Sequence, residues 1–261
     1  MTEQKKRSLG RREFLKIALG SGAVAASLQL VPKAYASRPE GSSPHQWAMV
    51  IDQGKCLGCG YCTLACQAHN DIAPDISWNR VIEACEINGK KVFLPRPCQH
   101  CEHAPCVDVC PVGASYYRSD GIVMMDYDLC IGCRYCEVAC PYGARAFNWK
   151  EFSGENPAVP EWGYPEVPRR PRGVVEKCSF CYQRIDRGLA LGLTPGADPE
   201  ATPACVVACP VGGRVFGDLN DPESEVSKVL SSHITHRLRE DLGTGPRVYY
   251  ICPGGGTEVT S

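Results

Sequence analysis

The chain has 261 residues, of which 44% are apolar and 22% are charged, with a formal net charge of −1. That length allows one or two domains, while 26 glycines and 21 prolines argue against a long helical bundle. No stretch holds the roughly 18 consecutive apolar residues of a membrane-spanning helix. The 18 cysteines are the outlier of the composition, so the first question is what these thiols do.

Residues 1–36 have the pattern of an export signal. A basic head precedes a short apolar stretch and an A-x-A cleavage pattern at residues 34–36. Residues 11–16, Arg-Arg-Glu-Phe-Leu-Lys, resemble the twin-arginine signal, although Gly10 replaces its leading hydroxyl residue. An ordinary amphipathic helix is the alternative. The resemblance implies that the protein is exported already folded and holding its cofactor, to the periplasm or the outer face of the cytoplasmic membrane.

The charge of the remaining chain argues against nucleic acid as a partner. Seven basic and two acidic residues lie in the first 36 positions, which leaves 21 basic and 27 acidic residues from Ser37 onward, a net charge of −6. Binding to phosphates needs clustered lysines and arginines. We therefore expect no nucleic acid partner.

Sixteen cysteines fall into four groups of four. Group one is Cys56, Cys59, Cys62 and Cys66; group two is Cys98, Cys101, Cys106 and Cys110; group three is Cys130, Cys133, Cys136 and Cys140; group four is Cys178, Cys181, Cys205 and Cys209. Groups one and three match the C-x2-C-x2-C-x3-C run of bacterial ferredoxins. Proline follows the final cysteine of groups two, three and four. The spacing therefore predicts iron–sulfur clusters.

Two other uses of the cysteines compete with this interpretation. Zinc prefers two separated C-x2-C pairs that close one tetrahedron, which suits group four alone. Disulfides make no demand for the x2-x2-x3 spacing, and consecutive C-x2-C steps would be awkward to bridge. In a cubane cluster, by contrast, cysteines three apart in a tight loop reach neighbouring iron corners, and the final cysteine serves the other cluster of a pair.

The regions between the groups predict few long elements. Apolar runs at residues 47–51 and 122–125 indicate strands that enter cluster loops. Residues 153–173 hold five prolines and predict an extended surface segment. The apolar spacing of residues 220–242 predicts a helix, and residues 247–251 predict a final strand.

An internal repeat organises the chain into two halves. A Cys-Pro-x-Gly turn followed by a short apolar segment recurs after groups two, three and four. We predict an α+β fold of two ferredoxin-like halves, one inserted in the other, with short strands and long cluster-binding loops. The expected divisions are the signal (1–36), the first motif of the outer half (37–97), the inserted half (98–150), the proline-rich segment with the fourth motif (151–216), and a C-terminal helix and strand (217–261).

The remaining metal-binding residue types show no ligand pattern. His100 and His103 lie among the cysteines of group two, but four thiolates already fill a cubane, so a role other than ligation is expected. Cys85 and Cys252 fall outside every group and are expected to be free thiols. No catalytic motif such as G-x-S-x-G, H-E-x-x-H or a phosphate loop is present, which favours electron conduction over catalysis.

The sequence resembles a known family of electron-transfer subunits. The resemblance lies in the order of the four groups, in residues 130–145 (Cys-Ile-Gly-Cys-Arg-Tyr-Cys-Glu-Val-Ala-Cys-Pro-Tyr-Gly-Ala-Arg) and in residues 217–222 (Gly-Asp-Leu-Asn-Asp-Pro). It covers residues 45–255. Members serve membrane-associated oxidoreductases such as polysulfide, dimethyl sulfoxide, tetrathionate and formate-dependent nitrite reductases, and the sulfite-reduction-associated transmembrane complex.

The resemblance implies four [4Fe–4S] clusters, with the presence of Cys133 favouring four irons in a cluster that holds three in some members. It implies a polytopic quinone-reactive membrane subunit as partner, and with it a molybdopterin catalytic subunit or a multihaem cytochrome. The final cysteine of each group is expected to serve the partner group. The four ligand sets are then Cys56, Cys59, Cys62 with Cys209; Cys66 with Cys178, Cys181, Cys205; Cys98, Cys101, Cys106 with Cys140; and Cys110 with Cys130, Cys133, Cys136.

Two functions of different classes follow from the sequence. The first is an electron-relay subunit that passes single electrons through the clusters between a quinone-linked membrane subunit and another redox subunit. The second is a secreted structural or binding module held together by metal or disulfides. Iron content and a reducible EPR signal distinguish the two.

Overall fold

Short strands alternate with cysteine-bearing loops and helical turns in this computed structural model, which describes residues 43–254. The predicted export signal lies outside the described residues. The strands are β1 (Trp47–Asp52), β2 (Arg80–Ile87), β3 (Lys90–Arg96), β4 (Ser115–Tyr117), β5 (Val123–Met125), β6 (Arg145–Phe147), β7 (Val175–Lys177), β8 (Arg214–Asp218), β9 (Thr235–Arg237) and β10 (Val248–Ile251). The helices are α1 (Tyr61–His69), α2 (Pro105–Asp108), α3 (Tyr135–Ala139), α4 (Tyr182–Ala190), α5 (Ala204–Val207) and α6 (Glu225–Ser232), followed by a 3-10 turn at Glu240–Leu242.

The largest sheet joins the early and late parts of the described chain. Its strand order is β8-β1-β10-β9, with β1 antiparallel to β8 and parallel to β10. Residues 47–51 of β1 are all buried, as expected for a strand covered on both faces, where an apolar run replaces alternation. The predictions of strands at residues 47–51 and 247–251 are confirmed. Through this sheet, the loop of group one lies beside the loop of group four.

Three two-stranded pairs complete the strand pairing of residues 43–254. The β4–β5 pair contains the predicted strand at residues 122–125, and the β6–β7 pair joins the end of group three to the start of group four. The β2–β3 hairpin has a register shift between Glu83 and Cys85. The mixture of helices and strands agrees with the predicted α+β class. Within residues 43–254, no helix has both the length and the apolar character to cross a membrane.

The helix predicted over residues 220–242 is too long. Helix α6 begins after Ser224, whose hydroxyl accepts a hydrogen bond from the N–H of Ser227, and it ends at Ser232. Residues 235–237 then form the edge strand β9 on β10, because extended backbone there completes the hydrogen bonds of the sheet. Val226 is buried against the sheet, whereas Ile234 is 68% exposed, so the apolar stripe does not continue past the helix.

The proline-rich segment, residues 153–173, has no helix or strand, as predicted, but it is more than a surface loop. Asn156 is buried and donates a hydrogen bond to the carbonyl oxygen of Gln67 at 3.0 Å. Arg169 forms an ion pair with Asp71 at 2.9 Å, and buried Arg170 pairs with Glu176 at 3.1 Å. The segment is therefore fastened to the end of α1 and to β7, which the sequence pattern did not reveal.

Candidate metal centres

The structure places the sixteen grouped cysteines in four sets, here called sites A to D. Site A contains Cys110, Cys130, Cys133 and Cys136, site B contains Cys98, Cys101, Cys106 and Cys140, and site D contains Cys56, Cys59, Cys62 and Cys209; each of these sets lines one cavity. Site C contains Cys66, Cys178, Cys181 and Cys205. The sets correspond to the four ligand sets expected from the family resemblance.

The cysteines of site C are brought together by burial and by a shared polar neighbour. All four are buried. The side-chain amide of Asn70 lies 3.8 Å from the sulfur of Cys66 and 3.6 Å from that of Cys181. Burial raises the pKa of Cys66 well above its ordinary value, and negative charge on Cys181, Cys178 or Cys205 raises it further. The set therefore draws its members from three distant parts of the chain.

The helical turns explain why the last cysteine of a group joins a different site. Each C-x3-C step spans a short helix: Cys62 to Cys66 on α1, Cys106 to Cys110 across α2, Cys136 to Cys140 across α3, and Cys205 to Cys209 across α5. The side chains of such a pair are displaced by about one turn along the helix, roughly 6 Å. Each helix thus presents one thiol to one site and the next thiol to the neighbouring site.

Glycine allows the loop of site A to lie close to a neighbouring chain segment. Gly132 has a φ of +68°, and a Cβ atom there would collide with the carbonyl oxygen of Gly173. Gly58 occupies the matching position of site D with a φ of +70°, and its Cβ would meet the ring of Phe93. A side chain at either position would displace the loop that carries the cysteines.

Burial makes ionisation of the thiols unfavourable unless positive charge lies beside them. Burial raises the pKa of Cys101 and of Cys205 to about 12, and neighbouring thiolates contribute to both shifts. Four thiolates can coexist in one buried site only when positive charge compensates them. Four thiol ligands on the walls of one cavity fit the iron–sulfur core, which binds one thiolate at each iron. Within residues 43–254, no three Cys, His, Asp or Glu side chains are placed to hold a single metal ion.

Two buried arginines contact the thiols directly. Arg145 lies 3.0 Å from the sulfur of Cys106, and Arg214 lies 3.4 Å from the sulfur of Cys62 and 3.6 Å from that of Cys205. Burial alone would lower the pKa of each guanidinium, yet the nearby thiolates raise both pKa values above the ordinary range. These side chains therefore provide fixed positive charge beside the candidate ligands.

The histidines are engaged by protein groups. His100 is fully buried, stacks on Phe180 at 3.8 Å and accepts a hydrogen bond at Nδ1 from the N–H of Val123, while its Nε2 has no hydrogen-bond partner among the described residues. His45 lies 2.7 Å from Asp218 and His69 lies 2.8 Å from Glu166. Sequence reasoning missed these two partners, because each pair joins residues far apart in the chain. Cys85 and Cys252 are exposed and free, as expected.

Comparison with known proteins identifies the class. A 4Fe–4S dicluster domain model matches residues 90–156, a second 4Fe–4S dicluster domain model matches residues 129–213, and a 4Fe–4S binding domain model matches residues 47–68. Together with the four thiol sites, these matches define a ferredoxin-type iron–sulfur protein that holds four [4Fe–4S] clusters.

Similar proteins narrow the class to a family. The Hdr-like menaquinol oxidoreductase iron–sulfur subunit 1 of Archaeoglobus fulgidus is 39% identical, over 95% of this chain and 99% of the relative. The menaquinone reductase iron–sulfur cluster-binding subunit of Nitratidesulfovibrio vulgaris is 43% identical over 79% and 88%. The arsenate respiratory reductase iron–sulfur subunit of a Shewanella species is 39% identical over 78% and 94%. The chain belongs to the family of iron–sulfur electron-transfer subunits of membrane-associated respiratory oxidoreductases.

Proposed function

We propose that the chain is a linear relay in which electrons pass through four clusters in the order A, B, C, D or its reverse. One end receives electrons from, or gives them to, a polytopic quinone-reactive membrane subunit. The other end faces a second redox subunit, a molybdopterin enzyme or a multihaem cytochrome. The relatives named for menaquinol and menaquinone support the quinone-linked partner, and the relative named for arsenate respiratory reductase supports a catalytic one.

The order of the sites carries this proposal. Sites A and B share the C-x3-C steps at α2 and α3, and sites C and D share those at α1 and α5, because each step supplies one cysteine to each site of its pair. Sites B and C are neighbours as well, since Arg145, which contacts Cys106 of site B, is paired across β6–β7 with Lys177, the residue before Cys178 of site C. No such link joins A to D among the described residues. The arrangement supports a row of four centres.

Solvent exposure distinguishes the two ends of the row, sites A and D, from the inner site C. Cys133 of site A and Cys59 of site D are exposed, whereas every cysteine of site C is buried. Apolar side chains are exposed beside the loop of site A at Ile131 (65%) and Val138 (85%). Leu57 beside site D is exposed as well. Exposed apolar residues gathered at a functional loop suit a protein contact, so each end is proposed as a docking face for one partner.

The same site membership supports the inserted-half arrangement. Residues 98–150 supply every cysteine of sites A and B, while sites C and D take theirs from residues 37–97 and 151–216. We propose the divisions given above as the domain organisation. Export by the twin-arginine route is proposed for residues 1–36, because cluster assembly before export explains how so many cysteines escape oxidation.

Metal analysis and spectroscopy test the ligand sets. About sixteen irons and sixteen acid-labile sulfurs are expected in anaerobically isolated protein; zinc, or clearly fewer than twelve irons, would contradict four cubanes. In EPR spectra of reduced protein, Cys209→Ser and Cys56→Ser should perturb one common signal, and Cys205→Ser a different one. A signal lost in both Cys209→Ser and Cys205→Ser would refute the crossed ligand sets.

A separate experiment tests export by the twin-arginine route. Replacing Arg11 and Arg12 by lysine should leave the precursor in the cytoplasm with its iron in place. Unchanged export of this variant would exclude the twin-arginine route and leave the relay proposal intact.

A further inference from the structure

Three cations are buried in the row of sites, one at each junction between neighbours. Arg145 lies between sites A and B, Lys177 between sites B and C, and Arg214 between sites C and D. Their exposed fractions are 3%, 1% and 5%. Positive side chains are rarely buried this deeply unless they have a counter-charge, so their partners indicate their role.

Arg145 contacts thiols of two different sites. Its Nη2 atom lies 3.0 Å from the sulfur of Cys106 in site B. Its guanidinium also hydrogen-bonds the thiol of Cys136 in site A. The same guanidinium donates to the hydroxyl of Ser115 at 2.6 Å and lies 2.8 Å from the sulfur of Met125. It is thus fixed in place between the two sets of ligands.

Arg214 repeats this arrangement in the other half. It lies 3.6 Å from the sulfur of Cys205 in site C and 3.4 Å from that of Cys62 in site D. A methionine sulfur, that of Met49, is again a neighbour, at 3.7 Å. Both arginines stand five residues after the final cysteine of their group, in Cys-Pro-Tyr-Gly-Ala-Arg and Cys-Pro-Val-Gly-Gly-Arg. The internal repeat has therefore placed equivalent cations at equivalent junctions.

Lys177 occupies the junction between the halves. It is the partner of Arg145 across the antiparallel β6–β7 pair, and its ammonium donates to the carbonyl oxygen of Cys178 at 2.6 Å. It directly precedes Cys178 of site C in the chain, and its strand partner Arg145 contacts Cys106 of site B. Like charges directly opposite one another destabilise a strand pair, so this pair of cations needs anions nearby.

The counter-charge comes from the sites themselves. Among the carboxylates of residues 43–254, none forms an ion pair with Arg145, Lys177 or Arg214; buried Arg170, by contrast, pairs with Glu176. A cubane with four thiolate ligands is a net anion and becomes more negative when it is reduced. A cation in a buried site acts on such a charge with little screening by solvent or salt. It stabilises the reduced state of whichever cluster it flanks.

We propose that Arg145, Lys177 and Arg214 tune the redox properties of the relay. Each of these cations raises the reduction potentials of the two clusters on either side of it. Each cation also weakens the repulsion between neighbouring clusters, so that an electron on one opposes less strongly the arrival of an electron on the next. The inference rests on the proposed order of sites A to D.

The test is redox potentiometry of the full chain followed by EPR, with signals assigned through the Cys→Ser variants above. Arg214→Gln should shift the midpoint potentials of clusters C and D downward and leave A unshifted. Arg145→Gln should lower those of A and B and leave D unshifted. Lys177→Met should lower those of B and C. Arg214→Lys and Arg145→Lys keep the charge and should restore potentials toward the wild-type values.

A second variant tests the inference if Arg214→Gln fails to assemble its clusters. Nη2 of Arg214 donates to Oδ1 of Asn79 at 2.9 Å, so the nearly isosteric Asn79→Asp places a negative charge beside the arginine. It should lower the potentials of the same clusters, C and D. Lys91→Gln removes an exposed cation 59% accessible on β3 and should shift none of the four potentials.

Two outcomes would overturn the inference: potentials unchanged in both Arg214→Gln and Asn79→Asp, or equal shifts of all four clusters in every variant. Either would have to occur in protein that still contains about sixteen irons and shows the expected pairing in the Cys→Ser experiments. Fewer than four clusters in the unsubstituted chain, or a different pairing, would instead refute the proposed relay order. The two proposals therefore fail by different measurements.

Discussion

The terminal site A differs from the inner site C in how its ligands are gathered and covered. Site A takes all its cysteines from residues 110–136 and leaves Cys133 exposed, whereas site C collects buried cysteines from residues 66 to 205. A cluster at an end of the row must come near a partner, while an inner cluster needs only its neighbours. The difference shows that a docking centre can be built from one stretch of chain, as at site A, while the buried centre at site C needs three distant stretches.

The largest expected difference is between Cys205→Ser and Cys133→Ser. Loss of the cluster at site C should release contacts among α1, β7 and α5, and metal binding of this kind is folding free energy. We expect Cys205→Ser to lower the Tm by on the order of 10 °C, which corresponds to several kcal/mol for a chain of this size. Cys133→Ser should alter one cluster and leave the Tm within a few degrees of wild type. Thermal unfolding under anaerobic conditions, with iron analysis, measures both.

An equal loss of Tm in the two variants would contradict the distinction between local and global sites. The exposed thiol variant Cys85→Ser provides the control, because Cys85 belongs to none of the four sites and should leave iron content and Tm unchanged.

The matched glycines sharpen the comparison between the two terminal sites. A left-handed backbone costs alanine roughly 1–2 kcal/mol at either Gly58 or Gly132. At Gly132 the new Cβ meets a backbone carbonyl, that of Gly173, whereas at Gly58 it meets the ring of Phe93, which can rotate away. Gly132→Ala should therefore cost about 3 kcal/mol and Gly58→Ala about 2 kcal/mol, as measured by denaturant unfolding.

The reverse order of these two losses would show that the Phe93 ring is held more firmly than the β6–β7 connection. Gly60 has a φ of +79° but open space around its missing Cβ. Gly60→Ala therefore isolates the backbone cost and serves as the control for both variants.

A smaller effect is expected for the docking face at site A. Val138 is 85% exposed, so Val138→Asp should leave the fold and the clusters intact. If this face contacts a partner subunit, a charge buried in the contact should weaken assembly about 30-fold, or about 2 kcal/mol. Binding of the purified chain to membranes containing the partner subunits measures this change.

Ile234 gives the matched control for Val138. It is an apolar residue 68% exposed and lines none of the cavities of sites A, B and D. Ile234→Asp should not change assembly. Equal weakening by both variants would mean that added charge, rather than the face at site A, explains the loss.

The smallest effect concerns the proline-rich segment, residues 153–173, that covers the chain beside site C. Burial opposes the ionisation of Asp71, but hydrogen bonds from Arg169 and Asn156 outweigh it and lower the pKa of the carboxyl. A lowered carboxyl pKa contributes stability above the ordinary pKa near 4 and loses it as the pH falls through the lower value. Asp71→Asn should therefore cost under about 1 kcal/mol at neutral pH.

Limited proteolysis should show that loss as faster cleavage within residues 153–173. The difference between Asp71→Asn and wild type should shrink as the pH is lowered through the pKa of Asp71, because both then lack the charge. A difference independent of pH would indicate that shape rather than charge fastens the segment.

Sequence spacing predicted the metal chemistry better than the secondary structure. The iron–sulfur chemistry follows from the cysteine spacing, the crossed ligand sets were expected from the family resemblance, and strands β1, β5 and β10 follow from apolar runs. The long helix over residues 220–242 was wrong because pairing of β9 with β10 overrides a local apolar stripe. The buried positions of Arg145 and Lys177, opposite each other in β6–β7, depend on tertiary pairing, and a lone arginine or lysine in a sequence predicts exposure.

Because cysteines cross between groups, the four sites can be completed only in a fixed order as the chain is synthesised. Once residue 140 has left the ribosome, every ligand of sites A and B exists, whereas site D stays incomplete until Cys209 appears and closes it beside Cys56. Iron should therefore enter the middle of the gene product before it enters the first motif to be translated. Nascent chains arrested after residue 200, with residue 140 outside the ribosome and Cys205 and Cys209 not yet made, should carry iron at A and B alone, and chains arrested after residue 254 should carry all four clusters. The first cysteine group can therefore complete its site only after the fourth has been made. Iron bound at site D thus shows that the chain has been translated through its last cluster motif.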